Sequence, residues 1–260
     1  MAMLTNIKYS TDILIYSIDS RENKNCRELP KKYFSILLIK RDKEPFKDQW
    51  CLPGGFVNND ETSFEAALRI LKKETNLTNT YVEQLGVFDA INRDPRERII
   101  STAYIALVDK NQIKEELSPN AKWFDIEIEE QTQKINITLS NQEIINIAIT
   151  KELVNQKANQ YIYKLTESNM AFDHGLIVTK GILDLRKKAE TTDIIFNLMP
   201  EKFTIGELKQ VYEIILGKKL INSAFRRVIA KKVEEVDEQI KTGGHRPSQK
   251  FIYKGEEHHG

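Results

Sequence analysis

Two groups of residues in this 260-residue chain have the types and spacing to do chemistry. In the first, Pro53-Gly-Gly55 leads into a run in which Gly55, five residues, Glu61, seven residues and Arg69 follow one another, with Glu74 close behind. Carboxylates one helical turn apart can hold a hard divalent cation, which prefers oxygen ligands and stabilises charge on a leaving phosphate. Arg41, Lys73, Arg93, Arg96 and Arg98 stand near this run in sequence. Their charge-assisted hydrogen bonds suit a phosphate or sugar-phosphate. The plainer reading is an exposed helix face in which Glu65 and Arg69 form an i,i+4 ion pair and each arginine is a solvated turn charge.

The second group lies near the C-terminus. Ser223, Arg226, Arg227 and Lys231 fall on the outer face of an expected helix, and Lys241, His245 and Arg246 cluster at a hairpin whose tip is Thr242–Ser248. A helix seated in the major groove with a basic loop on the phosphate backbone needs that arrangement.

The elements that must position these groups follow from periodicity. Ile13 to Ser17 and Tyr33 to Lys40 read as strands, the second buried on both faces because its apolar run is nearly continuous. From Thr62 to about Thr75 the pattern becomes helical: Thr62 and Glu65 form a capping box, and Phe64, Ala67, Leu68 and Leu71 make one apolar face. Strands are expected at Tyr81–Asp89, Arg98–Val108 and Ala121–Ile126, which makes an α+β domain with a mixed sheet. An insertion over about 127–169 reads as strand, helix (about Asn141 to Asn155) and strand. A further helix spans about Asp173 to Lys188, and polar Ala189–Asp193 reads as a linker.

Beyond Phe203, Thr204 and Glu207 form a second capping box for a short helix ending at Gly217. Asn222 then caps a second helix whose buried stripe is Phe225, Val228, Ile229, Val233 and Val236. A hairpin around Ile240 and Phe251–Tyr253 follows. Two helices and a hairpin in this order describe a winged helix-turn-helix, and Thr204 joins the residues expected near DNA.

Composition bounds the possibilities. Charged residues are 30% and hydrophobic residues 40%, with a net charge of +1. That fits a globular chain of one or two domains, two being favoured, and gives no overall field toward nucleic acid or membrane. From Glu201 onward, 12 Lys or Arg face 9 Asp or Glu, so a tail of +3 balances a remainder of −2. Cys26 and Cys51 are too few for a disulfide framework or a tetrahedral metal site, and reduced structural thiols are expected. With no leader-like start and no apolar run of about 18 residues, a cytoplasmic protein without a membrane partner is expected.

The run from Gly55 to Asn76 resembles the Nudix box, with Leu71, Glu74 and Leu77 also in place. In that family the box ends Arg, Glu, aliphatic, any, Glu, Glu. Here it reads Arg69-Ile70-Leu71-Lys72-Lys73-Glu74, so two carboxylate positions hold Ile70 and Lys73. Most of the chain resembles the Nudix-related transcriptional regulators, through Phe88–Arg98, Ala171-Phe-Asp-His-Gly175, Phe196–Pro200 and Phe225-Arg-Arg227, whereas the insertion over about 127–169 departs from that pattern. The resemblance implies a Nudix-like α/β/α sandwich over residues 1–190 followed by a winged helix-turn-helix over 191–260. It implies a homodimeric repressor on palindromic double-stranded operator DNA, released by a small-molecule effector, an ADP-ribose-like nucleotide or a pentose sugar. No cofactor is then expected and no catalytic residue is assigned; Glu61, Arg69 and Glu74 are remnants of the box. The alternative is an active Nudix pyrophosphohydrolase using Mg or Mn, with Glu74 as metal ligand.

Overall fold

Ile13 and Ile15 alternate with Leu14 and Tyr16, which gives one strand two apolar faces, and the chain builds a helical layer on each. The computed structural model describes residues 7–22, 29–113, 116–240 and 248–255. Strand β1 (Lys8–Arg21) lies between β2 (Lys31–Lys40) and β6 (Ile99–Leu107), antiparallel to the first and parallel to the second. Short β3 (Trp50–Cys51) and β4 (Gly54–Phe56) attach to β2 and β1, and β5 (Tyr81–Phe88) closes one edge beside β6. Toward the other edge β2 is followed by β7 (Ala121–Glu130), β8 (Lys134–Asn141), β9 (Glu143–Asn155) and β10 (Gln160–Ser168).

Helix α1 (Ser63–Thr75) covers one face of the sheet and α2 (His174–Thr191) the other. Ile13 and Ile15 pack with Ala67, Ile70 and Leu71 of α1. Leu14 and Tyr16 pack with Ile177, Val178 and Ile182 of α2. This is the expected α/β/α sandwich. At Gly181 α2 rests directly on the sheet: an added Cβ would meet Leu14 Cδ2 at 2.7 Å and the Tyr16 hydroxyl at 2.9 Å.

The α1 capping box forms as expected, with Thr62 Oγ1 accepting from the Glu65 amide and the Glu65 carboxylate accepting from the Thr62 amide at 2.7 Å. The buried face differs from the expected one. It runs through Ala66, Ala67, Ile70, Leu71 and Glu74, whereas Phe64 is 43% exposed.

In the insertion, the helix expected over Asn141–Asn155 is strand β9 instead. Ile145, Ile147 and Ile149 face Leu139, Ile137 and Ile135 of β8 across the antiparallel ladder, all six buried. A period of two in β-branched residues suits a strand, whereas a helix would scatter them around its axis. The insertion thus widens the sheet. Ala189–Asp193 is no linker either. Its first three residues are the last turn of α2, and after Asp193 the chain enters a buried 3₁₀ turn, Ile194–Leu198.

The C-terminal unit is α3 (Ile205–Leu216), α4 (Asn222–Ile229) and the hairpin β11 (Val233–Ile240) with β12 (Ser248–Tyr253). The Thr204–Glu207 box and the left-handed Gly217 (φ 66°) bound α3 as expected. Asn222 does not cap α4; it is the first helical residue, and Ile221 occupies the cap position without a side-chain bond. Val228, expected in the buried stripe, is 56% exposed. One hydrophobic cluster runs from Leu14 and Ile36 of the sheet through Ile182 and Phe196 to Leu208, Tyr212, Phe225 and Ile229.

Candidate functional site

A cleft of about 220 Å³ opens where β1, β4, the turn after β5 and the start of α2 converge. Its floor is a buried network of charge. Asp12, at the start of β1's buried run, accepts from Ser101 Oγ at 2.6 Å and from Arg93 Nη2 at 3.3 Å, both on Oδ2. Arg93 also binds Asp173 in a fork, Nε to Oδ2 at 3.0 Å and Nη2 to Oδ1 at 2.7 Å. His174 Nδ1 accepts the Leu52 amide at 2.9 Å, which places the imidazole proton on Nε2, 3.6 Å from Asp12 Oδ1. Burial pushes the His174 pKa below its ordinary value, against the pull of Asp12. The imidazole is therefore held neutral.

The walls pair guanidinium groups with aromatic rings. Arg41 lies 4.7 Å from the Phe172 ring centre, and Arg96 lies 5.6 Å from that ring and 5.9 Å from Phe56. Arg41 is held by the Pro45 and Lys43 carbonyls and Arg96 by a fork to Asp94, at 3.0 and 2.7 Å. Phe172 has φ 55°, a left-handed backbone rare for an aromatic residue, and such strain concentrates at ligand sites. Planar π-faces beside fixed guanidinium forks suit a ligand carrying both a flat ring and phosphate.

Of the five residues expected to meet an effector, Arg41, Arg93 and Arg96 line the cleft, and Lys73 and Arg98 do not. Lys73 is an exposed side chain of α1 paired with Glu74 at 2.8 Å. Arg98 donates to the Asp89 and Ala90 carbonyls and closes the turn after β5. Asp12, Ser101, Phe172, Asp173 and His174 join the site without being expected there, because they come from three elements far apart in the chain. The signals available were the lone acid heading the apolar run of β1 and the phrase Ala171-Phe-Asp-His-Gly175.

The box residues have other work. Arg69 bonds Glu61, not Glu65, Nε to Oε2 at 2.9 Å and Nη2 to Oε1 at 2.6 Å, and its Nη2 also reaches the Phe56 carbonyl at 3.2 Å. This clasp holds β4 against α1, while Glu65 is occupied by the capping box. The bond from Arg69 lowers the Glu61 pKa to about 2. Ile70 is in the core, and buried Glu74 is neutralised by Lys73, so the donor set on this face does not fit a divalent cation. Among the described residues no group of three or more His, Cys, Asp or Glu could hold a metal ion. Cys51 donates to the Ile39 carbonyl, and burial raises its pKa to about 12, the state of an unreactive thiol. Cys26 lies outside the described residues.

At the other end, Ser223, Arg226 and Arg227 of α4 and Lys231 just beyond it are exposed around a helix anchored by Phe225 and Ile229. Thr204 is not on that face: it is buried, its hydroxyl committed to the capping box. Lys241, His245 and Arg246 lie outside the described residues. Among the described residues no helix is long and apolar enough to cross a membrane.

A Nudix-type sandwich joined to a DNA-binding winged helix is the class of protein these parts define. A family model for the NUDIX domain matches residues 27–142, and one for the NrtR DNA-binding winged helix domain matches 195–253. The chain thus joins a NUDIX domain to a winged helix domain of the NrtR DNA-binding type. The ADPR responsive transcriptional repressor NtrR of Acinetobacter baylyi is 29% identical to it over 94% of this chain and 81% of that protein. A MutT/nudix family protein from Enterococcus faecalis has a similar structure, with a TM-score of 0.70, 26% identity, and coverage of 98% of this chain and 89% of its own. The Shewanella oneidensis NrtR complexed with a 27mer DNA matches with a TM-score of 0.67 and 23% identity over 95% and 93% of the two chains.

Proposed function

We propose that this chain is a DNA-binding transcriptional repressor whose Nudix domain binds an ADP-ribose-like nucleotide without hydrolysing it. The observation that carries the reading is the cleft, where Arg41 and Arg96 flank Phe172 beside a helix α1 whose metal-ligand positions hold Ile70 and Lys73. The charged guanidinium groups, through the Nη1 donors that these bonds leave over, bind the pyrophosphate and the ring stacks a flat base. The cleft is smaller than the roughly 300 Å³ at which pockets for drug-sized ligands begin, so such a ligand seats one part and extends across the mouth. The Acinetobacter relative is described as ADPR responsive, which supports the same ligand class, and a pentose sugar, lacking both base and phosphate, leaves most of these groups unused.

Arg226, Arg227 and Lys231 then meet operator DNA, the first two from the exposed side of α4. A homodimer on a palindromic site, in the cytoplasm, completes the reading, with effector binding lowering operator affinity by about 1 to 3 kcal/mol of coupling. The test is operator binding by gel shift with increasing ADP-ribose, alongside thermal shift with ADP-ribose and with arabinose and a turnover assay in Mg²⁺ and Mn²⁺. Release by ADP-ribose without turnover is expected. Stabilisation by arabinose alone, or metal-dependent hydrolysis, counts against the reading.

A further inference from the structure

Helix α2 has one end in the cleft and packs toward its other end against α3. Its cap and first residue, Asp173 and His174, hold Arg93 and the Leu52 amide. Its 18 residues carry it about 27 Å at 1.5 Å per residue. Twelve residues from its start, about 18 Å along, Arg186 makes a polar tie to α3 beside the apolar packing: Nε donates to the Ile215 carbonyl at 2.8 Å, and Nη1 reaches Glu130 Oε2, at the end of β7, at 3.2 Å. The Ile215 carbonyl belongs to the last turn of α3, where carbonyls lack helical partners and the helix dipole favours a cation. The side chain is only 16% exposed, and Gly217 fits closely against it: an added Cβ there would lie 2.9 Å from Arg186 Nη2. The neighbouring Lys218–Glu190 pair is more than half exposed at both partners and is a weaker tie.

We propose that Arg186 is the residue through which the state of the cleft reaches the DNA-binding unit. A ligand that draws on Arg93 or the start of α2 displaces a helix packed hard on the sheet at Gly181, and Arg186 transmits that displacement to the end of α3 and so to α4. The geometry calls for arginine. A planar fork satisfies acceptors on two elements at once, whereas a lysine ammonium reaches them only as a point charge. The proposal rests on the reading that a cleft ligand alters operator affinity.

The experiment measures operator affinity by fluorescence anisotropy with and without ADP-ribose, and ADP-ribose affinity by calorimetry, for the full chain and its R186K, R186Q and E190Q variants. In the parent, ADP-ribose should weaken operator binding about 5- to 150-fold. In R186K and R186Q that ratio falls to within about twofold of one, while ADP-ribose affinity and ligand-free operator affinity each stay within about threefold of the parent. E190Q keeps the parent ratio. Should R186Q fail to fold, R186K decides. A parent-like ratio in R186K overturns the proposal, as does a loss of ligand-free operator binding with the ratio unchanged, which would make Arg186 a purely structural contact. A parent that ignores ADP-ribose overturns the functional reading itself, a result distinct from a responsive parent with responsive variants.

Discussion

Arg93 and Asp173 form a two-bond fork on the floor of the cleft, and the same guanidinium reaches Asp12, so one cation compensates a buried and a partly buried carboxylate. Arg93 and Asp12 side chains are each less than a tenth exposed. Replacing Arg93 by Ala strands both acids, and breaking a buried ion pair from one side costs about 3 to 5 kcal/mol. Urea denaturation should show that loss, together with lost ADP-ribose binding. A variant within 1 kcal/mol of the parent, on the order of a surface substitution, would mean that water reaches these acids.

Adjacent glycines in the Pro-Gly-Gly turn should answer differently to the same methyl group. At Gly54 a Cβ would sit 2.4 Å from Asp12 Oδ1 and 2.9 Å from the Thr11 carbonyl, whereas at Gly55 its nearest neighbour is Ile70 Cδ1 at 3.9 Å. Gly54→Ala is therefore expected to cost about 1 to 3 kcal/mol through overpacking. Gly55→Ala should stay within about 0.5 kcal/mol. Equal thermal shifts for the two variants would refute the close packing of β4 on Asp12.

His174 gives the molecule an acid-sensitive contact. Burial depresses its folded-state pKa, so the unfolded chain takes up the proton more readily. The stabilisation is fully present above the unfolded value of about 6.5 and is lost as pH falls through the folded pKa. Between pH 6.5 and 5, the slope of unfolding free energy against pH should be smaller in His174→Gln than in the parent, by up to about 1.4 kcal/mol per pH unit. Superimposable slopes would show that the imidazole titrates as it does in water.

On α4, Arg226→Ala and Arg227→Ala should each weaken operator binding, and the salt dependence separates the roles. An arginine on phosphate lowers the slope of log K against log salt by about 0.9 and weakens all sequences alike. An arginine on a base edge costs about 1 to 3 kcal/mol on the operator alone. No change in either variant would remove α4 as the reading helix.

Much of this architecture was legible locally. The two capping boxes, Thr62 with Glu65 and Thr204 with Glu207, mark helices whose starts the structure confirms, because a cap is a contact between residues three apart. Strand β9 was not, since Ile144 beside Ile145 blurs a period of two that is unambiguous only once β8 lies alongside. The cleft was legible in part. Arg41, Arg93 and Arg96 come from charged turns, which attract notice in a sequence. Asp12, Ser101 and His174 acquire meaning only when β1, β6 and α2 meet, and the Asp12–His174 contact spans most of the chain.

The hydrophobic cluster running from Leu14 of the sheet to Ile229 of α4 leaves no seam at which the winged helix could melt by itself. Two parts with separate tasks are then expected to share one melting event, and calorimetric and van 't Hoff enthalpies that agree would show it. Sensor and reader would then be lost together, leaving no half-molten form that keeps its winged helix without its cleft.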